Sequence, residues 1–218
     1  MVSYLVADLI LLVVWILLFL NKSYRKEMIV MSLFFAPFAL LDLFFLQDYW
    51  SPQTFLGTKF GLETFLFSFS IGGVASVIYE EFRRSKLVRF RRVPNWILVG
   101  TATLLFIDFL SLKFIGINSM YALYVIFIVA AFMILIRRKD LLMDVVGSGI
   151  AFGLLGFFLY LIYLKLFPEI IGQWWRLSDI SGILILGIPL EELLFAFGFG
   201  MVAGPLYEVW QGYRLAEK

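Results

Sequence analysis

Seven long apolar segments divide nearly the whole chain of 218 residues and decide what it can fold into. They cover residues 4–20, 28–46, 55–82, 96–114, 120–136, 141–167 and 180–210. A helix that crosses a bilayer needs about 20 mostly apolar residues. Hydrophobic residues make up 62% of the chain and charged residues 16%, against about 45–50% and about 25% in soluble domains. The sequence therefore excludes an ordinary water-soluble globule and predicts an all-α integral membrane protein with seven transmembrane helices.

Basic residues alternate between the loops and predict the orientation of the chain. They concentrate in the first, third and fifth loops and in the tail: Lys22, Arg25 and Lys26; Arg83, Arg84, Lys86, Arg89, Arg91 and Arg92; Arg137, Arg138 and Lys139; Arg214 and Lys218. The even-numbered loops hold only Arg176, with Lys59, Lys113 and Lys165 near helix ends. Since basic loops stay cytoplasmic, we expect the N-terminus outside and the C-terminus inside, in a prokaryotic cytoplasmic membrane.

An internal repeat organises the seven helices. Residues 62–80 and 190–208 are identical at ten of nineteen positions, where biased membrane composition would give about two or three. We predict a 3+1+3 arrangement, with one repeat in residues 1–86, a linker helix in residues 87–118 and a second repeat in residues 119–218. Corresponding helices lie four spans apart, so the two three-helix repeats are parallel. The small residues Gly72 and Ser76 match Gly200 and Gly204, and this spacing allows close helix contact, so we expect spans three and seven to face each other.

The residues that the chain lacks limit its chemistry. It contains no His and no Cys, which excludes disulfides, zinc sites of the usual ligands, thiol nucleophiles and histidine bases. A formal net charge of +2 gives no argument for a nucleic-acid partner. No Gly-x-Gly-x-x-Gly follows a strand, and no strand is expected, so no dinucleotide cofactor is indicated. We expect no cofactor and no metal, and acid–base chemistry must fall to carboxylates, Lys, Arg or Tyr.

Six carboxylates lie inside the spans toward the outer side. They are Asp8, Asp42, Glu63, Asp108, Glu191 and Glu192. An acid at this depth costs about 2.5–3.5 kcal/mol on insertion scales, so a group of them on one side indicates a polar site; the alternative is that some lie near the surface or bond neighbouring helices. Glu63 and Glu191 are equivalent in the repeat. Pro189 removes a backbone donor, and we expect it to kink the seventh span just before Glu191.

Aromatic residues recur beside these acids in both halves. Phe67 and Phe69 match Phe195 and Phe197, and Phe199 follows one turn of helix after Phe195. Most of the 25 Phe residues would only face lipid or pack between helices. Aromatic faces next to acids can also stabilise a cation and line a channel for an apolar substrate. We take these five Phe residues as candidate substrate-binding side chains.

The stretch Pro189-Leu190-Glu191-Glu192 resembles the Pro-x-Glu-Glu motif of the membrane-embedded, non-flavin lycopene cyclase domain family. The duplicated three-helix unit also resembles that family in its fused tandem form. In the first half, Gly61-Leu62-Glu63-Thr64 lacks the Pro and the second Glu. Only Glu63 therefore matches an acid of the family motif in that half.

The resemblance implies a redox-neutral isomerisation of a linear carotenoid that enters from the bilayer. An acid protonates the terminal double bond, the cation closes onto the neighbouring alkene, and a base removes a proton to give a β-ring. On this reading the enzyme is a lycopene β-cyclase, an intramolecular lyase. Glu191 or Glu192 would be the proton donor, with Glu63 or the remaining Glu as base or cation stabiliser. Asp42 and Asp108 would support the substrate site.

Three other readings stay open on the sequence. A proton-coupled transporter shares the parallel 3+1+3 design, although the intramembrane polar residues are all acidic. A retinal protein would need a lysine in the middle of span seven, and residues 180–210 contain none. A non-catalytic carotenoid-binding subunit would use the acids only as structure. Fold alone does not choose between them.

Overall fold

The computed structural model describes residues 2–58 and 60–217, so Met1, Lys59 and Lys218 lie outside it. The described chain forms two compact units. The first unit contains Met1–Val74 and Leu154–Leu193, and the second contains Ala75–Gly153 and Leu194–Lys218.

Helices make up most of both units. They are α1 (Val2–Phe19), α2 (Arg25–Phe35), α3 (Asp42–Asp48), α4 (Leu62–Arg83), α5 (Asn95–Phe114), α6 (Ser119–Arg137), α7 (Leu142–Leu166), α8 (Ile170–Trp174), α9 (Leu190–Ala203) and α10 (Leu206–Gln211). Three-ten segments cover Ala36–Leu41 and Lys139–Leu141. When adjoining helical segments are joined, six apolar helices among the described residues are long enough to cross a membrane: Arg25–Asp48, Leu62–Arg83, Asn95–Phe114, Ser119–Arg137, Lys139–Leu166 and Leu190–Gln211. Ser3–Phe19 is a shorter apolar helix. This agrees with a multi-pass membrane protein.

Proline and capping side chains explain several helix boundaries. Pro37 stands at the start of the three-ten segment between α2 and α3, where it cannot supply an α-helical N–H. Pro94 directly precedes α5, and the Asn118 side chain caps α6 by accepting a hydrogen bond from the backbone N–H of Met120 at 2.9 Å. Such caps satisfy donors that the first helical turn leaves unpaired.

The seventh apolar segment is shorter as a helix than predicted. Its first part forms a small antiparallel pair, β2 (Leu184–Ile185) with β3 (Ile188–Pro189), and α9 begins only at Leu190. Pro189 therefore ends the strand before the helix and does not kink the helix itself. A second break lies at Pro205, before α10.

A two-stranded ribbon in the second unit corrects the expectation that the chain contains no strand. β1 (Ser85–Arg89) pairs antiparallel with β4 (Tyr213–Glu217), with Leu87 opposite Leu215. This pairing brings the basic third loop and the C-terminal tail together. The fold is thus mostly helical and not strictly all-α.

Arg138 fixes the loops beside this ribbon. Its side chain is almost fully buried and donates hydrogen bonds to the carbonyl oxygens of Arg91 at 2.6 Å and Tyr213 at 2.6 Å. It also pairs with Asp140 at 2.7 Å. A buried guanidinium needs such acceptors, because an unpaired buried charge is costly.

Glycines allow close helix contact within each unit. In the first unit, a Cβ added at Gly72 would lie 2.7 Å from the Cβ of Phe35 on α2. In the second unit, a Cβ added at Gly200 would lie 2.5 Å from the carbonyl oxygen of Ser148 on α7. The small residues of α4 and α9 thus contact the second helix of the corresponding repeat. That α4 and α9 also face each other stays a prediction.

Candidate active site

Five of the six acids that the sequence places inside the spans lie buried in the first unit. They are Asp8, Asp42, Glu63, Glu191 and Glu192. Glu191 and Glu192 open α9, Glu63 opens α4, Asp42 opens α3 and Asp8 lies in α1. Four separate helices therefore supply acids to the interior of one unit.

Glu192 accepts hydrogen bonds from aromatic side chains. The Tyr49 hydroxyl donates to its Oε1 at 2.5 Å and the Trp175 indole N–H donates to the same oxygen at 2.8 Å. The Tyr160 hydroxyl also faces this carboxylate. Burial and the neighbouring Glu192 charge raise the pKa of Tyr49 well above its usual value, so its hydroxyl keeps the proton that it donates.

A short backbone bridge holds these aromatic donors in place. Trp50 pairs antiparallel with Trp175, the Ser51 N–H donates to the Trp174 carbonyl at 2.7 Å, and the Arg176 N–H donates to the Tyr49 carbonyl at 2.8 Å. The bridge joins the two connections that precede α4 and α9. It fixes the positions of Tyr49 and Trp175 without relying on side-chain packing alone.

Glu63 and Glu191 are held in similar ways. Each accepts a hydrogen bond from a backbone N–H of the connection just before its helix: Phe55 to Glu63 Oε1 at 2.5 Å and Ser181 to Glu191 Oε1 at 2.9 Å. These equivalent contacts support the sequence repeat.

Asp42 and Asp8 lie around Tyr4. The Trp50 indole donates to Asp42 Oδ1 at 2.8 Å, and the Trp50 and Tyr4 rings meet edge to face at 5.4 Å. Asp8, Asp42 and Glu63 all act electrostatically on the Tyr4 hydroxyl. Asp8 is fully buried, and neither of its carboxylate oxygens has a hydrogen-bond partner among the described residues.

The two candidate Phe residues of the first unit are half-buried. Phe69 contacts the Trp15 ring at 5.5 Å, and the Trp15 indole donates to the Ser32 hydroxyl at 2.9 Å. No described aromatic contact fixes the neighbouring ring of Phe67. The substrate-binding roles of Phe67 and Phe69 stay predictions.

The other candidate Phe residues belong to the second unit. Phe195 and Phe199 stack at 5.7 Å, and Phe127 lies 6.0 Å from Phe195. Phe197 is exposed and covers Gly149 of α7, where an added Cβ would lie 3.1 Å from its ring. Helix α9 therefore carries a stacked pair, with Phe195 half-buried and Phe199 buried, and the exposed ring of Phe197.

Asp108 differs from the other five acids. It belongs to the second unit, where it is exposed on α5 and lines a shallow groove with Ser111, Leu112 and Val125. Within α5 only Phe109 is buried. Because Asp108 is exposed, its position does not support the expectation that it lies inside a polar site.

The comparison with protein families agrees with this arrangement. A family model described as lycopene cyclase matches residues 1–82 and 118–210, which is most of the chain. The chain belongs to the lycopene cyclase family. The two matched segments flank the region that contains β1 and α5. No curated protein and no solved structure matches.

Membership of the lycopene cyclase family supports a carotenoid cyclase activity in general terms. The site residues suit such a substrate, because carboxyl groups can exchange protons and aromatic faces can stabilise a cation in dry surroundings. The resemblance drawn from Pro189-Leu190-Glu191-Glu192 and the duplication is confirmed at the level of the family.

Sequence reasoning missed the donors around Glu192 in this lycopene cyclase family member. Tyr49, Trp175 and Tyr160 were not among the candidate residues. A signal existed, because the aromatic pair Tyr49-Trp50 precedes α4 as Trp174-Trp175 precedes α9. Tyr and Trp combine a large apolar surface with one polar hydrogen, which suits a buried carboxylate. Repeated aromatic pairs beside repeated acids would have pointed to these side chains.

Buried acids outside the predicted set were also missed. Glu27 is buried in the first unit, and Glu80 and Glu208 are buried in the second. Glu80 and Glu208 are equivalent in the repeat. They stand near the basic loops in sequence, and for this reason their depth could not be read from hydropathy.

Proposed function

We propose that this chain is a lycopene β-cyclase, which closes one or both linear end groups of a carotenoid without net oxidation or reduction. The observation that carries the proposal is the set of buried carboxyl groups in the first unit, held among Tyr and Trp side chains. The substrate enters from the bilayer of a prokaryotic cytoplasmic membrane.

The reaction requires three steps that carboxyl groups and aromatic rings can support. A carboxylic acid protonates the terminal alkene and leaves a tertiary cation. The π electrons of the neighbouring alkene then form the ring bond and move the cation into the ring. A carboxylate removes a ring proton to form the β-ring double bond, so every atom of the substrate is kept.

Glu191, Glu192 and Glu63 are the proposed catalytic carboxyl groups. Glu192 accepts at least two hydrogen bonds from neutral donors, which stabilise a carboxylate. We therefore give Glu192 the role of base or cation stabiliser. Glu63 and Glu191 each receive a backbone donor and can share that role. The proposed substrate-binding residues are Asp42, Phe67 and Phe69 in the first unit and Asp108, Phe195, Phe197 and Phe199 in the second.

Expression in cells that accumulate lycopene tests the function. We expect the wild-type chain to convert lycopene into products with β-rings, measured by chromatography and absorption spectra of extracted pigments. Unchanged lycopene in cells with verified membrane insertion would contradict the proposal.

Two variants test the site in the same cells. Glu192→Gln and Glu191→Gln keep the side-chain size and remove the charge, and general acid–base groups contribute about 10²–10⁴-fold. We expect at least one of them to lose about 100-fold or more in ring formation. Glu169→Gln is the matched control, because Glu169 is exposed in the connection before α8. Full activity of both variants would remove these glutamates from the site.

A further inference from the structure

Asp8 is the one acid of the first-unit set that has no hydrogen-bond donor. Glu192, Asp42, Glu63 and Glu191 each accept at least one hydrogen bond from an indole, hydroxyl or backbone N–H. Neither oxygen of Asp8 has a partner among the described residues, and its exposed fraction is 0%. The function proposed above assigns no role to this side chain.

The presence or absence of a donor affects whether the ionised or the neutral form of an acid costs less free energy to bury. An ionised carboxylate can only accept hydrogen bonds, whereas the protonated group carries an O–H that it can donate. Burying an ionised carboxylate without donors costs far more than burying the neutral acid. Hydrogen-bond donors lower the cost of burying a carboxylate, and Asp8, which has no donor, is the acid of this set that costs least to bury as a neutral carboxylic acid.

The neighbours of Asp8 suit proton transfer to an apolar molecule. Glu63 acts electrostatically on Asp8, and Asp8 acts electrostatically on the hydroxyl groups of Tyr4 and Tyr163. In the described part of the chain, no Lys or Arg acts on Asp8 in this way. The next residue, Leu9, is exposed on the surface of α1, so the acid lies one residue from a face that lipid would cover.

We propose that Asp8 is the proton donor that starts the cyclisation, an inference that rests on the cyclase function proposed above. The Asp8 O–H proton passes to the terminal alkene carbon, the π electrons form the new C–H bond, and the O–H electron pair stays on Asp8. After ring closure, the Glu63 carboxylate, which acts electrostatically on Asp8, takes the ring proton. Return of that proton from Glu63 to the Asp8 carboxylate restores both groups without an oxidant, a reductant or a co-reactant.

The experiment compares Asp8→Asn, Asp8→Glu and the control Asp179→Asn with the wild type in lycopene-accumulating cells. Asp179 is an exposed acid of the loop after α8. We expect Asp8→Asn to lose about 100-fold or more in ring formation and to leave lycopene unchanged. Asp8→Glu should recover part of the activity, because it restores a carboxylic acid, and Asp179→Asn should match the wild type.

A second measurement separates a donor from a structural residue. An unpartnered buried polar group does not stabilise the fold, so we expect Asp8→Asn and Asp8→Leu to unfold in detergent at the wild-type temperature or above it. Loss of activity together with a clear fall in the unfolding temperature would make Asp8 structural and overturn the proposal.

The extracted pigments show whether Asp8 acts as the proton donor or as the base. They also distinguish a failure of the proposed role of Asp8 from a failure of the cyclase function. Loss of the base would leave a cation that escapes to rings with a double bond at another position, and such products from Asp8→Asn would overturn the donor role. Full ring formation by Asp8→Asn beside an active wild type would overturn only the role of Asp8. A wild type that leaves lycopene linear would overturn the cyclase function itself.

Discussion

At the scale of single residues, Glu192 is held by donors that are themselves rigid. The Trp175 indole N–H contacts both Glu192 at 2.8 Å and the Tyr49 hydroxyl oxygen at 3.2 Å. The backbone bridge between Trp50 and Trp175 fixes the connection that carries them. A carboxylate with such fixed partners does not need to reorganise when a positive charge forms beside it, which is the condition for efficient electrostatic stabilisation.

The first prediction concerns Tyr49. Tyr49→Phe removes the hydroxyl donor at 2.5 Å and keeps the ring. A hydrogen bond to a charged group is worth about 1.5–3 kcal/mol, so we expect ring formation to fall by about 10- to 100-fold, measured as the rate of product formation in isolated membranes.

Tyr121→Phe is the control for this variant, because Tyr121 is an exposed tyrosine of α6. Equal rates for Tyr49→Phe and the wild type would mean that the hydroxyl does not support the reaction.

The acids could be predicted from the sequence, and the repeated aromatic pairs marked candidate donors, but which donor binds which acid could not be predicted. Charged residues are rare inside apolar segments, so each of Glu63, Glu191 and Glu192 stood out. The Tyr49 hydroxyl is 143 residues from Glu192 along the chain, and no local pattern reports such a contact. Asp8 was visible as an acid, whereas its lack of a partner is a property of the folded interior alone.

At the scale of helices, α9 depends on close contact with α7. A Cβ added at Gly200 would lie close to the carbonyl oxygen of Ser148 and 2.8 Å from the side chain of Phe152. Without a hydrophobic drive between helices in lipid, such van der Waals contact is a main source of helix association. Small residues on α9 are therefore required for packing.

The second prediction compares two glycines. Gly200→Ala places a Cβ 2.5 Å from a backbone oxygen, and overpacking of this kind costs about 1–3 kcal/mol. We expect its unfolding temperature in detergent to fall by several degrees, since about 1 kcal/mol corresponds to roughly 2–4 °C for a chain of this size.

Gly100→Ala tests whether any glycine replacement has this effect. Gly100 lies on α5, where an added Cβ meets nothing within 4 Å, and alanine favours helix more than glycine does. We expect an unchanged or slightly higher unfolding temperature. A similar fall in both variants would show that close contact at Gly200 is not the cause.

Helix positions followed from the sequence wherever an apolar run was uniform. The fourth and fifth predicted spans, residues 96–114 and 120–136, match α5 and α6 within one residue at each end. The prediction was wrong at the start of the seventh apolar run, because hydropathy does not distinguish helix from strand. Thus Ile188 and Pro189 form a strand, although both read as part of a helix.

At the scale of the whole molecule, the orientation in the membrane is open to a direct test. The chain has no cysteine, so single cysteines report on one position each. The third prediction is that Gln53→Cys and Gly172→Cys react with a membrane-impermeant maleimide in intact cells, whereas Lys22→Cys and Arg89→Cys react only after permeabilisation. All four positions are exposed in the described structure.

The basic loops carry this prediction, because Lys and Arg stay on the cytoplasmic side. The opposite labelling pattern would place the N-terminus in the cytoplasm. Labelling of both Lys22→Cys and Gln53→Cys in intact cells would contradict the prediction that the second span crosses the membrane between these positions.

The ribbon between β1 and β4 also joins parts of the chain that are made at different times during synthesis. β1 ends at Arg89 and β4 begins only at Tyr213, so β1 stays without this partner strand until the residues between them have been made. An unpaired strand edge invites pairing with other chains. We therefore expect chains truncated before Tyr213 to aggregate more readily than the chain that contains β4.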